Sequence, residues 1–197
     1  MIKVGVTGGI GSGKTLICQI FEKIGMPVFY ADSEARKILN HDKTVVDKVS
    51  SLFGADIYNE DGINKARLAN VIFNNQDALN TINSIVHPVV KSRFQNWLST
   101  LNTTYAIEEA AILVETGSYK ELDYTVLVYA PKELRISRAM SRDGNTREEI
   151  EERMKNQIPD EEKFQKVNKV IYNDNSRMVI PQVLEIHEQL TNQKNMF

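Results

Sequence analysis

The run Gly8-Gly9-Ile10-Gly11-Ser12-Gly13-Lys14-Thr15 constrains this chain more than any other feature. It fits the pattern Gly-x-x-x-x-Gly-Lys-Thr in full, and its context fits as well. Ile2 to Thr7, just before it, is rich in β-branched residues and predicts a strand. Leu16, Ile17, Ile20, Phe21 and Ile24, just after it, have the spacing of a helix from about Thr15 to Lys23. Glycines let a backbone curl tightly and approach phosphate oxygens without a Cβ in the way. The inward-pointing N–H groups of such a turn form an anion nest, and the following helix adds the positive end of its dipole. Lys14 would place a cation at the β- and γ-phosphates of a nucleotide, and the Thr15 hydroxyl could ligate Mg²⁺. The expected phosphate-binding set is Gly9, Gly11, Ser12, Gly13, Lys14, Thr15 and Leu16. A chance match in a glycine turn is the competing reading, and the strand–loop–helix context weighs against it.

The rest of the chain alternates in the same way. Gly25 and Pro27 end the first helix, and Val28 to Tyr30 predicts a second buried strand. Asp32 or Ser33 can cap a helix through Ala35, Ile38 and Leu39. From about His41 to Leu101 the pattern is mostly helical, broken at Gly54 and at Asp61-Gly62, and residues 33–101 are expected to form a helical lobe. Tyr105 to Leu113, Tyr124 to Tyr129 and Val170 to Tyr172 predict further strands. Pro131 opens a helix, and Thr146-Arg147-Glu148-Glu149 fits a capping box for another that runs to about Gln157 and stops before Pro159. Val179 to Leu190 predicts a terminal helix, with a fraying polar tail from Thr191. Strands alternating with helices predict a parallel sheet covered on both faces, an α/β fold of three layers, in a single domain over residues 1–197.

Composition removes several function classes. A net charge of -2 gives no global basic field for nucleic acid. No apolar run approaches the length of a membrane span, and no signal-peptide pattern precedes the first strand, so a cytosolic location is expected. Cys18 stands alone and reads as a small core residue, while His41, His87 and His187 lack metal-ligand spacing.

A phosphate loop alone does not separate a kinase from a guanine-nucleotide switch. Asn168-Lys169-Val170-Ile171 begins the guanine-reading motif but has Ile where Asp is needed, and Asp-x-x-Gly occurs nowhere. A kinase gains support from Arg135, Arg138 and Arg142, which share one helical face and can neutralise a transferring phosphoryl group. The alternative is a solvated face paired with Glu133 and Asp143. Asp32, at the end of the second strand, can orient or deprotonate an acceptor hydroxyl; capping its helix is the other role open to it. Glu109 and Glu115 flank the third strand, where a buried carboxylate needs a partner. Glu109 could support Mg²⁺ from behind its ligands or face an edge.

These residues resemble the dephospho-coenzyme A kinase family. Val6-Thr7-Gly8-Gly9-Ile10-Gly11-Ser12-Gly13-Lys14 is similar to its opening, and Ala31-Asp32-Ser33-Glu34-Ala35-Arg36 to its acid followed by Ala-Arg. His87-Pro88, Ile112-Leu113-Val114-Glu115, the series Arg138, Arg142-Asp143, Arg153 and Gln157, and Ile171-Tyr172-Asn173-Asp174 follow in the family's order. Tyr30, Ala111 and Lys65 depart from residues common in it, Asp, Pro and Arg in turn. The resemblance implies transfer of the ATP γ-phosphate to the ribose 3′-hydroxyl of dephospho-CoA, with Mg²⁺ and with no obligate protein partner. It implies Asp32 as catalytic base beside Lys14 and Arg142, Arg138 and Asn173 on ATP, and Asp32, Arg36 and His87 on the acceptor. It also implies five strands and an arginine-rich lid over residues 132–157. Taken alone, His87-Pro88 reads as a helix break with the imidazole satisfied by a backbone carbonyl. A kinase for another small molecule, or an ATP-binding regulator that makes no use of Asp32, stays open.

Overall fold

A computed structural model describes residues 1–72 and 75–192, apart from the side chain of Lys65. In chain order the elements begin β1 (Ile2–Thr7), α1 (Lys14–Lys23), β2 (Val28–Tyr30), α2 (Ala31–His41), α3 (Lys43–Phe53), β3 (Tyr58–Asn59), β4 (Gly62–Ile63), α4 (Lys65–Ile72) and α5 (Gln76–Ser99). They continue with β5 (Tyr105–Glu109), β6 (Tyr124–Tyr129), α6 (Lys132–Asp143), α7 (Arg147–Lys155), α8 (Asp160–Phe164), β7 (Lys169–Tyr172) and α9 (Val179–Asn192). Two compact units result, one of Met1–Tyr30 with Asn102–Phe197 and one of Ala31–Leu101.

The first unit is built on five parallel strands in the order β2-β5-β1-β6-β7. Val4, Val6, Tyr105, Ile107, Val126, Val128 and Ile171 alternate onto one face, where Ile17, Cys18 and Phe21 of α1 and Val183, Ile186 and Leu190 of α9 cover them. On the other face Gly5 leaves room for Leu113 and Leu122, whose methyl groups occupy the space a β-carbon would take. The chain leaves β1 for β2 on one side and takes up β6 on the other. The loop after β1 therefore sits at the point where strand order reverses, the usual ligand crevice of such sheets.

The capping box is present: Thr146 accepts from Glu149 N at 3.3 Å, and Glu149 accepts from Thr146 N at 2.9 Å. Other expectations need correction. β5 ends at Glu109 rather than Leu113, because residues 110–117 turn away through bonds such as Thr116 N to Ile112 O. The short α8 after Pro159 was not foreseen, and α9 runs through Thr191 to Asn192; the tail beyond lies outside the described residues. Leu16 is 49% exposed and belongs to no core.

The Ala31–Leu101 unit is mostly helical, but Asp61-Gly62 closes a small antiparallel hairpin of β3 and β4 instead of merely interrupting helices. β4 is tied to α2, since Ile63 N donates to Asn40 Oδ1 at 2.9 Å. α5 runs straight through Pro88, against the expected break. Proline in a helix interior costs about 3 kcal/mol. Ala78, Ile82, Val86, Val90, Phe94 and Leu98, all buried at four-residue spacing, offset it by burial worth about 1.5–3 kcal/mol for each large side chain.

Candidate active site

Residues 8–13 leave the carboxyl end of β1 and curl back on themselves, with Ser12 N donating to Gly9 O at 3.1 Å. Gly13 has φ 93 and abuts Asn173, whose Nδ2 donates to Ser12 O at 2.8 Å. A β-carbon at Gly13 would overlap that amide, so both backbone angle and space demand glycine there. Ile10 N donates to Gln157 Oε1 at 3.0 Å, and Lys14 Nζ donates to Gly8 O at 2.9 Å. α1 starts at Lys14 with no side-chain cap, so the N–H groups of its first turn keep their capacity to bind an anion. Thr15 and Leu16 lie at the surface of that turn. Glu109, 6% exposed, lies beside Val6 in the middle of the sheet rather than at an edge. It bears on the buried Cys18 thiol: burial chiefly pushes that thiol well above its ordinary value, the Glu109 charge adds to the rise, and Lys14 opposes it.

The three arginines of α6 have different fates. Arg135 is half of an ion pair with Asp160, 3.1 Å between Nη2 and Oδ2, and its guanidinium lies against Gly9. Arg138 donates to Asn173 O at 2.9 Å and to Asn175 Oδ1 at 2.7 Å, which joins it to the loop that also holds the phosphate turn. Arg142 forms a two-pronged pair with Asp143, at 2.7 and 2.9 Å, on the exposed side of the helix. That guanidinium holds the Asp143 carboxyl below its ordinary range. Arg138 is thus gathered to the phosphate loop and Arg142 is not.

Glu115 does have its partner. Lys163 is fully buried, and its Nζ lies 2.7 Å from Glu115 Oε1, which also accepts from Ile158 N at 3.3 Å. The pair was missed because Asp160-Glu161-Glu162-Lys163 reads as a solvated run. The usable signal was the unpartnered carboxylate itself, together with the one-turn spacing of Asp160 and Lys163. Lys163→Met should leave Glu115 buried and unpaired. The expected loss is about 3–5 kcal/mol, or roughly 6–20 °C in melting temperature for a chain of this size. Differential scanning calorimetry checks it.

In the Ala31–Leu101 unit, Asp32 and Arg36 lie one turn apart on α2, and α2 packs on α5. Asp32 sits inside the first turn, after Ala31, so it does not cap the helix as expected. His87 of α5 is exposed, yet surrounding atoms desolvate its imidazole enough to lower its pKa below 6.5, against the upward pull of the Asp32 charge. The imidazole is therefore neutral at pH 7, with one N–H donor and one acceptor to offer. Arg93 braces this face by bonding Glu34 at 2.6 Å and Asp42 at 3.1 Å. At the end of β2, Tyr30 donates to Glu22 Oε2 of α1 at 3.0 Å, and burial together with this bond pushes its phenol up. The Lys65 side chain lies outside the described residues.

The chain is similar to known proteins in both sequence and fold. The family model described as dephospho-CoA kinase matches residues 2–178. A dephospho-CoA kinase of Bacteroides fragilis is 39% identical over 186 residues, 94% of this chain and 91% of that protein. Among solved structures, TT1252 from Thermus thermophilus superposes with a TM-score of 0.86 at 30% identity, covering 95% of this chain and 96% of the other. The dephospho-CoA kinase from Campylobacter jejuni superposes with a TM-score of 0.68 at 28% identity, covering 98% of each.

Proposed function

Because the chain belongs to the dephospho-CoA kinase family and phosphorylates dephospho-CoA with ATP, we propose a division of labour between its two units. The loop 8–16, with Lys14, Arg138 and Asn173, holds ATP. The α2–α5 face, with Asp32, Arg36 and His87, holds the acceptor and presents its ribose 3′-hydroxyl. The observation that carries this reading is the packing of α2, which bears Asp32 and Arg36, on α5, which bears His87, close enough that the Asp32 charge acts on the His87 imidazole. An acid, a neutral imidazole and the Arg36 cation on the Asp32 helix suit a hydroxyl that must lose a proton beside anionic phosphates.

Asp32 orients the hydroxyl and accepts its proton as the oxygen bonds to the γ-phosphorus. Lys14 and the uncapped N–H groups of α1 stabilise the charge that shifts onto the β,γ-bridging oxygen as that bond breaks. Arg142, as a lid residue over 132–157, would have to leave Asp143 to take part. Among the described residues no group of three or more His, Cys, Asp or Glu forms a metal cage. A magnesium held by one hydroxyl, phosphate oxygens and water would need none, so the exposed Thr15 hydroxyl in the first turn of α1 fits. When bound there, Mg²⁺ supplies charge neutralisation to the β- and γ-phosphates. Among the described residues no helix is long and apolar enough to cross a membrane.

An acceptor panel tests the assignment. ADP release should be fast with dephospho-CoA and at background with nucleoside monophosphates and shikimate. Faster turnover on AMP or shikimate would overturn it.

A further inference from the structure

Arg135 is not among the residues assigned above to either substrate, yet its guanidinium lies directly on the phosphate loop at Gly9. A β-carbon at Gly9 would overlap its Nη1, and one at Gly11 would overlap its backbone carbonyl. Its side chain is 12% exposed and its partner Asp160 is 14% exposed, so the pair is largely withdrawn from water. Asp160 is in turn held in place. It opens α8, and one turn later Lys163 drives into the interior to meet Glu115. Just upstream of α8, Gln157 accepts from Ile10 N, and Ile10 packs against Ile136, Ala139 and Ile150. The tip of the loop is thus gripped by α6 and by the segment 157–163 together.

We infer that Arg135 is a positioning residue for the phosphate loop, held against Gly9 by Asp160, and that the buried Lys163–Glu115 pair anchors the helix that carries Asp160. The physical role is twofold. The guanidinium stops the glycine-rich turn from relaxing away from its anion-binding curl, and its charge adds to the field felt by a bound polyphosphate. The inference rests on the reading that this loop binds the phosphates of ATP.

The test uses Arg135→Gln, Asp160→Asn and the double variant, with ADP affinity by calorimetry, KM for each substrate, and thermal melting. Arg135→Gln should weaken ADP binding and raise KM for ATP by about tenfold or more, as for a lost charge-assisted contact. KM for dephospho-CoA should stay put. Either single variant leaves a buried charge unpaired and should melt earlier, whereas the double variant should recover much of that loss. Its nucleotide affinity should nevertheless stay weak. If affinity returns along with melting temperature, or if Arg135→Gln binds ADP as the wild type does, the pair is only a structural brace and the inference falls. Lys14→Ala run in parallel separates the two levels: weak binding there with normal binding in Arg135→Gln overturns this inference alone, while normal binding in both overturns the phosphate-loop reading. Hydrogen exchange on the unaltered protein gives an answer that needs no variant. ADP should slow the amides of residues 9–11 and of 158–164 together, and slowing confined to the loop would count against the coupling.

Discussion

Lys14→Ala is expected to lower kcat by about 10²–10³-fold, the range found when one preorganised stabiliser of transition-state charge is removed. Lys14 is the first residue of α1, so its side chain leaves from the spot where uncapped N–H groups already favour an anion. In the structure its ammonium bonds Gly8 O, which folds it back across the loop it serves. Alanine is a better helix former than lysine, so α1 should keep its start. The loss should therefore appear in phosphoryl transfer and nucleotide affinity rather than in melting temperature. Turnover near the wild-type rate, measured by coupled ADP release at saturating dephospho-CoA, would remove the phosphate-loop assignment.

What the residues disclosed in advance was the part governed by local rules. β1, the glycine turn and α1 are contiguous, and each obeys a short-range constraint of pleat, φ angle or apolar period. Their boundaries came out within a residue. The capping box at Thr146 is equally local. Errors arose where distant burial overrode local preference. Pro88 should break a helix, but a stripe of apolar residues on both sides holds α5 together through it. Asp32 is a good cap residue, yet β2 runs into α2 without a connecting loop, so the helix begins at Ala31 and Asp32 falls inside it. The same holds for the site. Arg135, Arg138 and Arg142 are equivalent on a helical wheel, and only the long-range partners Asp160, Asn173 and Asp143 tell them apart. Lys163 was missed because its one-turn spacing from Asp160 does not by itself distinguish a buried lysine from an exposed one. Its partner, forty-eight positions away in sequence, is what makes burial tolerable.

Asp32→Asn separates a carboxylate that takes the acceptor's proton from one that is only structural. Because Asp32 lies within the first turn of α2 and does not cap it, the change removes only a favourable charge near the helix N-terminus, about 0.3–1 kcal/mol. The melting temperature should fall by roughly 4 °C at most. ATP affinity should hold, because the phosphate loop is untouched. The carboxylate that orients the acceptor hydroxyl and takes its proton is lost, so kcat should fall by about 10²–10⁴-fold. A second readout tests the electrostatic influence of Asp32 on His87 independently of turnover. The Asp32 charge raises the His87 pKa against desolvation, so its removal should move the imidazole titration further down from its wild-type position, followed by NMR of the ring protons. An upward shift or none would mean that the two side chains do not share one field. A kcat within about threefold of wild type, far short of a lost general base, would mean that Asp32 is structural and that the proton leaves the ribose hydroxyl by another route.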